Sequence, residues 1–131
     1  MPVGLLIVTH SSIGNAVVET AATMLNACPV QFDVLAVSQD YGPDEQRAMA
    51  NAMADRLDQG DGLLVLTDMY GSTPSNIACS LHARGNVRII AGLNLPMLVR
   101  VLNYPLLSLD ELADRALSGG RDGIFLCPPA D

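Results

Sequence analysis

Apolar residues in this chain fall into short unbroken runs separated by amphipathic stretches. Gly4-Leu5-Leu6-Ile7-Val8-Thr9 and Gly62-Leu63-Leu64-Val65-Leu66-Thr67 are near copies, and Phe32–Val37 and Val87–Ala91 are further runs of the same kind. Runs of this length, rich in β-branched residues and bounded by turn residues, predict strands buried on both faces. Between the first two, Ile13, Ala16, Val17, Ala21, Met24 and Leu25 repeat at the helical period, with Ser11 or Ser12 as cap and Pro29 as stop. Gly42-Pro43 opens a second helix with Met49, Ala52, Met53 and Leu57 on one face, ending near Gly60.

The second half continues the alternation. Thr73 and Pro74 form an N-cap and first-turn pair, which predicts a helix running to about Arg84-Gly85. Gly92-Leu93-Asn94-Leu95-Pro96 breaks the fourth strand into a loop, and a helix is expected over 97–102. Ser108 with Glu111 three residues on is a capping box for the last helix, which Gly119-Gly120 is expected to end. Residues 123–127 read as a short terminal strand stopped by Pro128-Pro129. Strands alternating with helices predict an α/β fold: an open, mainly parallel sheet with helices on both faces, in three layers. The 131 residues fit a single domain, 1–131, with half of them apolar to fill its core.

Charge and cysteine content narrow the function. Fourteen acidic against seven basic side chains leave a net charge of −7, which opposes binding to nucleic acid and favours a basic protein face as partner. Cys28, Cys79 and Cys127 are odd in number and show no Cys-x-x-Cys pair. They are expected to be buried small hydrophobes rather than disulfide partners or metal ligands. The apolar runs fall far short of the roughly 18 residues a membrane span needs, and no basic segment precedes the first run. A cytoplasmic protein without direct membrane insertion is expected.

Each near-copy strand runs into a residue able to do chemistry, His10 after the first and Asp68 after the second. In a parallel sheet both emerge at the carboxyl edge, where open α/β sheets place their ligands. A carboxylate beside an imidazole fixes its tautomer and leaves the other ring nitrogen free to attack. The turn Gly71-Ser72-Thr73 leads into a helix start, whose free N–H groups favour an anionic group. Plainer roles exist for the same residues: Asp68 suits the turn that follows it, and Gly71, Ser72 and Thr73 suit an ordinary helix cap. No Gly-x-x-x-x-Gly-Lys loop is present, so a phosphoprotein is a better phosphoryl donor than a nucleoside triphosphate. His82, within the third helix, is expected at the surface, and Arg47 and Arg100 could meet phosphate or partner.

Three linked motifs are Thr9-His10, Thr67-Asp68-Met69-Tyr70-Gly71-Ser72-Thr73-Pro74-Ser75-Asn76 and Gly92-Leu93-Asn94-Leu95-Pro96-Met97-Leu98. In order and spacing, over almost the whole chain, they resemble the mannose-family enzyme IIA of the bacterial phosphoenolpyruvate-dependent sugar phosphotransferase system. The resemblance implies that His10 accepts a phosphoryl group from the phosphocarrier protein HPr and passes it to a IIB component, with Asp68 beside the imidazole. It implies phosphate binding at Gly71, Ser72 and Thr73 and a site rim at Ser11, Asn94 and Pro96, with no cofactor and no metal. It further implies a homodimer that exchanges its C-terminal strand. The chain departs from the family pattern at Ser72 and Ser11, where glycine is usual, and at Thr73, where serine is usual. The phosphotransfer subunit of a dihydroxyacetone kinase system also has His followed by Ser, as in His10-Ser11, but the Gly92 to Leu98 motif favours the mannose type. Two readings from other classes are a hydrolase using Ser11 or Ser12 with His10 and Asp68, and a non-enzymatic signalling module centred on Asp68. The first lacks a Gly-x-Ser-x-Gly elbow and the second lacks an acidic cluster at the first strand.

Overall fold

Leu5, Ile7, Leu64 and Leu66 alternate along their strands with Leu6, Val8, Leu63 and Val65, and all eight side chains are fully buried. A strand apolar at every position must be covered on both faces, which requires helices above and below the sheet. The computed structural model, which describes residues 2–26 and 30–130, has that architecture. Its elements are β1 (Gly4–His10), α1 (Ile13–Leu25), β2 (Phe32–Val37), α2 (Pro43–Leu57), β3 (Leu63–Thr67), α3 (Thr73–Cys79), β4 (Val87–Ala91), α4 (Leu95–Leu102) and α5 (Leu109–Asp122). A 3-10 segment, Ser80–Arg84, prolongs α3.

The four strands run parallel in the order β2-β1-β3-β4. Leu5, Ile7, Leu64 and Leu66 share one core with Val18 and Ala21 of α1 and with apolar residues of α4 and α5. Leu6, Val8, Leu63 and Val65 share the other with Ala50, Ala54 and Leu57 of α2 and Ile77 and Ala78 of α3. The chain leaves β1 toward β2 and then returns across it to β3, so the strand order reverses between β1 and β3. That reversal opens a crevice at their carboxyl ends. No helix among the described residues is long and apolar enough to cross a membrane.

Several boundaries differ from the sequence expectation, some of them through contacts between distant segments. The last helix runs through Gly119 and Gly120 to Asp122, because both glycines are packing positions rather than a helix end. A methyl group at Gly119 would lie 2.6 Å from Arg100 Cβ and one at Gly120 2.9 Å from Met97 Cε, so their bareness lets α5 lie against α4. Gly123 closes α5, and residues 124–130 form no strand within this chain. Ile124, Phe125 and Leu126 stand 74%, 69% and 95% exposed.

On α1 the buried stripe is Gly14, Val18 and Ala21, with Val17 and Leu25 half-buried and Ile13, Ala16 and Met24 exposed. Gly14 sets this rotation, since a side chain there would strike Ile7, Thr9 and Val34. Neither serine side chain caps α1; Thr9 Oγ1 accepts from the Gly14 N–H at 2.9 Å instead. Asn26, in a left-handed conformation, ends α1, and the expected stop at Pro29 lies outside the described residues, as does Cys28. On α2 the buried positions are Gln46, Ala50, Ala54 and Leu57, while Met49 and Ala52 are exposed. The helix after the fourth strand begins at Leu95 rather than residue 97, capped by Asn94 and holding Pro96 in its first turn, where a missing N–H costs nothing. Cys79 is half-buried and Cys127 exposed, so the latter is not the core residue expected. His82 is exposed, as read from the sequence.

Candidate active site

His10 ends β1 and Asp68 follows the last residue of β3, and the parallel register sets Thr67 opposite Val8. Strand β1 therefore extends past β3, and the Asp68 carboxylate reaches sideways to His10. Its Oδ2 lies 2.8 Å from His10 Nδ1 and accepts from the His10 main-chain N–H at 3.0 Å. The Met69 N–H donates to Oδ1 at 3.1 Å. The end of β3 is pinned in turn by the Thr67 carbonyl, which accepts from both Gly92 and Leu93 N–H at 3.0 Å.

Exposure differs sharply between the pair: the His10 side chain is 46% accessible and that of Asp68 only 12%. Burial acts to raise the Asp68 pKa, but the hydrogen bonds from the His10 ring and amide and the His10 charge together hold it below the usual carboxylate value. Asp68 is accordingly an ionised acceptor at neutral pH. An ionised acceptor at Nδ1 places the ring proton there and leaves Nε2 as the nucleophilic nitrogen. Among the described residues the ring bonds to Asp68 and to no serine, which gives the hydrolase reading no nucleophile in hydrogen-bond contact with His10.

A cleft of about 520 Å³ opens at His10, lined by His10, Ser11, Val37, Ser38, Gln39, Thr73 and Pro74. Ser11 adopts a left-handed φ of 47° and donates its N–H to the Val37 carbonyl at 3.1 Å. Such a backbone favours glycine, which accounts for glycine being usual here in the resembled family. On the opposite wall, Gly71 turns the chain at φ 82° and Ser72 caps α3, one residue earlier than the sequence suggested. The Ser72 hydroxyl donates to the Met69 carbonyl at 2.5 Å and accepts from the Ser75 N–H at 3.4 Å. Thr73 lines the cleft, and its N–H carries no hydrogen bond among the described residues. Asn94 and Pro96 sit at the start of α4, away from this lining. Asn94 Oδ1 accepts from the Met97 N–H at 2.9 Å, and its Nδ2 donates to the Gly120 carbonyl at 3.1 Å, so its amide joins α4 to α5.

Arg47 pairs with Asp44, and Arg100 lies near Ser118 and Asp122; neither lines the cleft. Sequence reasoning missed the wall built by Val37, Ser38 and Gln39. The signal for it was available: β2 ends at the same carboxyl edge, so residues just past it belong beside His10. A second cleft of about 620 Å³ lies at the amino ends of the strands, where its Arg88 and Asp110 pair with each other at 2.8 Å.

Residues 4–117 match the family EIIA-man, described as the PTS system fructose IIA component. The chain belongs to this family. It is 32% identical over 133 aligned positions to the PTS system mannose-specific EIIAB component of Escherichia coli (strain K12), a match that covers 95% of this chain and 39% of that protein. The chain thus spans well under half of that relative's length. Among solved structures, the mannose/sorbose-specific IIA subunit of the phosphotransferase system from Enterococcus faecalis superposes with a TM-score of 0.88 at 22% identity, covering 100% of this chain and 98% of that one. The PTS IIA protein associated with the fucose utilization operon of Streptococcus pneumoniae gives 0.79 at 23% identity, covering 96% and 93%. These two likenesses establish the three-layer α/β/α fold. As a PTS IIA component of the mannose family, the chain is a member of a phosphotransferase system.

Proposed function

We propose that this IIA component is a cytoplasmic phosphohistidine carrier that takes a phosphoryl group from an HPr-like protein onto His10 Nε2 and hands it to a IIB component. One observation carries the reading: the 2.8 Å contact between His10 Nδ1 and a half-buried, ionised Asp68, with the ring open to a cleft. The donor's phosphorus–nitrogen bond breaks as the bond from phosphorus to Nε2 forms, and the positive charge gathering on the ring is met by Asp68. Transfer to the IIB component reverses these bond changes. Phosphoryl transfer asks mainly for positioning and charge stabilisation, and the strand-end pair supplies both. The Gly71, Ser72 and Thr73 turn offers the Thr73 N–H and hydroxyl to the phosphoryl oxygens, with Ser11 at the opposite rim. The roles of Asn94 and Pro96 are indirect, through the junction of α4 with α5.

The same reading includes a homodimer. The sheet order leaves β2 and β4 as edges, and the exposed Ile124, Phe125 and Leu126 form an apolar tail that an edge strand of a second copy would bury. Incubation with phosphoenolpyruvate and the general phosphotransferase proteins tests the carrier reading. One acid-labile, alkali-stable phosphoryl group per chain, lost in His10→Ala, is the expected result; stoichiometric uptake by the variant would exclude His10.

A further inference from the structure

Among the described residues the buried polar side chains are Thr9, Gln46, Thr67 and Ser75, and of these Gln46, the fourth residue of α2, alone is long. It is 2% exposed and faces the sheet among Ala50, Ala54 and Leu57 on the inner side of α2. A buried amide is costly unless both its ends are bonded. Gln46 Oε1 accepts from the Ser38 N–H at 3.0 Å and Nε2 donates to the Tyr41 carbonyl at 3.1 Å. With a main-chain donor at one end and a main-chain acceptor at the other, the orientation of the amide is unambiguous. The two bonds hold both ends of the loop from Ser38 to Tyr41, and Ser38 Oγ tightens it further by accepting from the Asp40 N–H at 3.0 Å.

This loop is one wall of the cleft. Ser38 and Gln39 face Thr73 and Pro74 across His10 and Ser11, and the Val37 carbonyl, one residue before the braced Ser38, holds the Ser11 N–H. We infer that Gln46 is a positioning residue for phosphoryl transfer, which holds the Ser38–Gln39 wall at the width that admits the phosphorylated carrier. The inference rests on the reading of His10 as phosphoryl acceptor. His10 is held separately, from the β3 side, by Asp68, so loosening the wall acts on docking and leaves the reacting nitrogen in place.

Gln46→Leu keeps most of the volume and removes both bonds, whereas Gln46→Glu keeps the acceptor to Ser38 and sets an oxygen against the Tyr41 carbonyl. Single-turnover transfer from phosphorylated HPr-like carrier, at varied carrier concentration, separates affinity from chemistry. In Gln46→Leu the apparent KM is expected to rise about tenfold with the limiting rate held within about threefold, in line with the loss of two neutral hydrogen bonds. Amide hydrogen exchange at Ser38 and Ser11 is expected to quicken in the same variant. Should Gln46→Leu fail to fold, Gln46→Glu, which loses only the bond to the Tyr41 carbonyl, carries the test with KM and limiting rate as readouts. An unchanged KM in a folded variant, or a fall in limiting rate without a change in KM, would overturn the inference. Failure of the wild-type chain to accept phosphoryl at all would overturn the His10 reading instead, and unchanged Ser38 exchange in Gln46→Leu would separately refute the brace.

Discussion

Asp68 grips His10 at two points with one oxygen: Oδ2 accepts from the main-chain N–H at 3.0 Å and lies 2.8 Å from the ring Nδ1. Strand end and imidazole are thereby fixed by the same group, although 58 residues separate them in sequence. Main-chain and side-chain contacts to one carboxylate give the ring a single orientation, which a ring held only by its own χ angles would lack.

Removal of that carboxylate should show in the rate before it shows in the fold. In Asp68→Asn the amide could present an N–H to Nδ1 and favour the wrong tautomer, so transfer to His10 should fall by roughly two orders of magnitude or more. Rapid-quench measurement of phosphoryl uptake checks this, alongside circular dichroism to confirm the fold. Wild-type kinetics in a folded variant would reduce Asp68 to a turn residue.

The lowered Asp68 pKa has a consequence for acid stability. A carboxylate whose folded pKa lies below its unfolded value near 3.8 contributes stability above that value and loses it as pH falls through the folded pKa. Denaturant midpoints measured from neutral pH down through this range should decline more steeply for the wild type than for Asp68→Asn. Parallel curves would show that the pair contributes nothing to the pH dependence.

Ser11 is a residue with a side chain in a backbone region that favours glycine. Ser11→Gly should therefore raise stability by up to about 1 kcal/mol, the relief of left-handed strain being partly offset by the freedom of glycine in the unfolded chain. Phosphoryl uptake should persist, because the Ser11 N–H to the Val37 carbonyl is retained. Thermal unfolding paired with the uptake assay measures both; a destabilised variant would mean that the serine hydroxyl has a structural partner of its own.

Gly119 separates two accounts of the last helix. At a helix end, alanine would be harmless, but against Arg100 Cβ at 2.6 Å it must push α5 away from α4, at a cost of about 1–3 kcal/mol. A lowered denaturant midpoint in Gly119→Ala is the expected outcome. A rise in stability from the better helix propensity of alanine would contradict the observed packing.

Deletion of residues 124–131 tests the tail. The full chain is expected to sediment as a dimer at micromolar concentration and the truncated chain to shift toward monomer. A full-length monomer under those conditions would exclude strand exchange without bearing on His10.

What the sequence determined by itself is what acts within a turn or along one strand. Leu5 to Val8 and Leu63 to Leu66 have no polar face to offer solvent, so they had to become central parallel strands, and the near identity of the two runs set His10 and Asp68 at one edge. Ser108 and Glu111 meet three residues apart in a capping box that needs no tertiary contact, and the structure forms it. Only the tertiary structure decided features that depend on which segment becomes a neighbour. Thr9 rather than a serine serves α1 because Gly14 is drawn against β1, and Gly119 and Gly120 stay helical because α4 lies across them. Ser38, Gln39 and the buried Gln46 join the site because β2 pairs beside β1 on the side away from β3. A local signal reports the free energy of a few adjacent residues, whereas a glycine read as a helix stop changes meaning once another element packs on it.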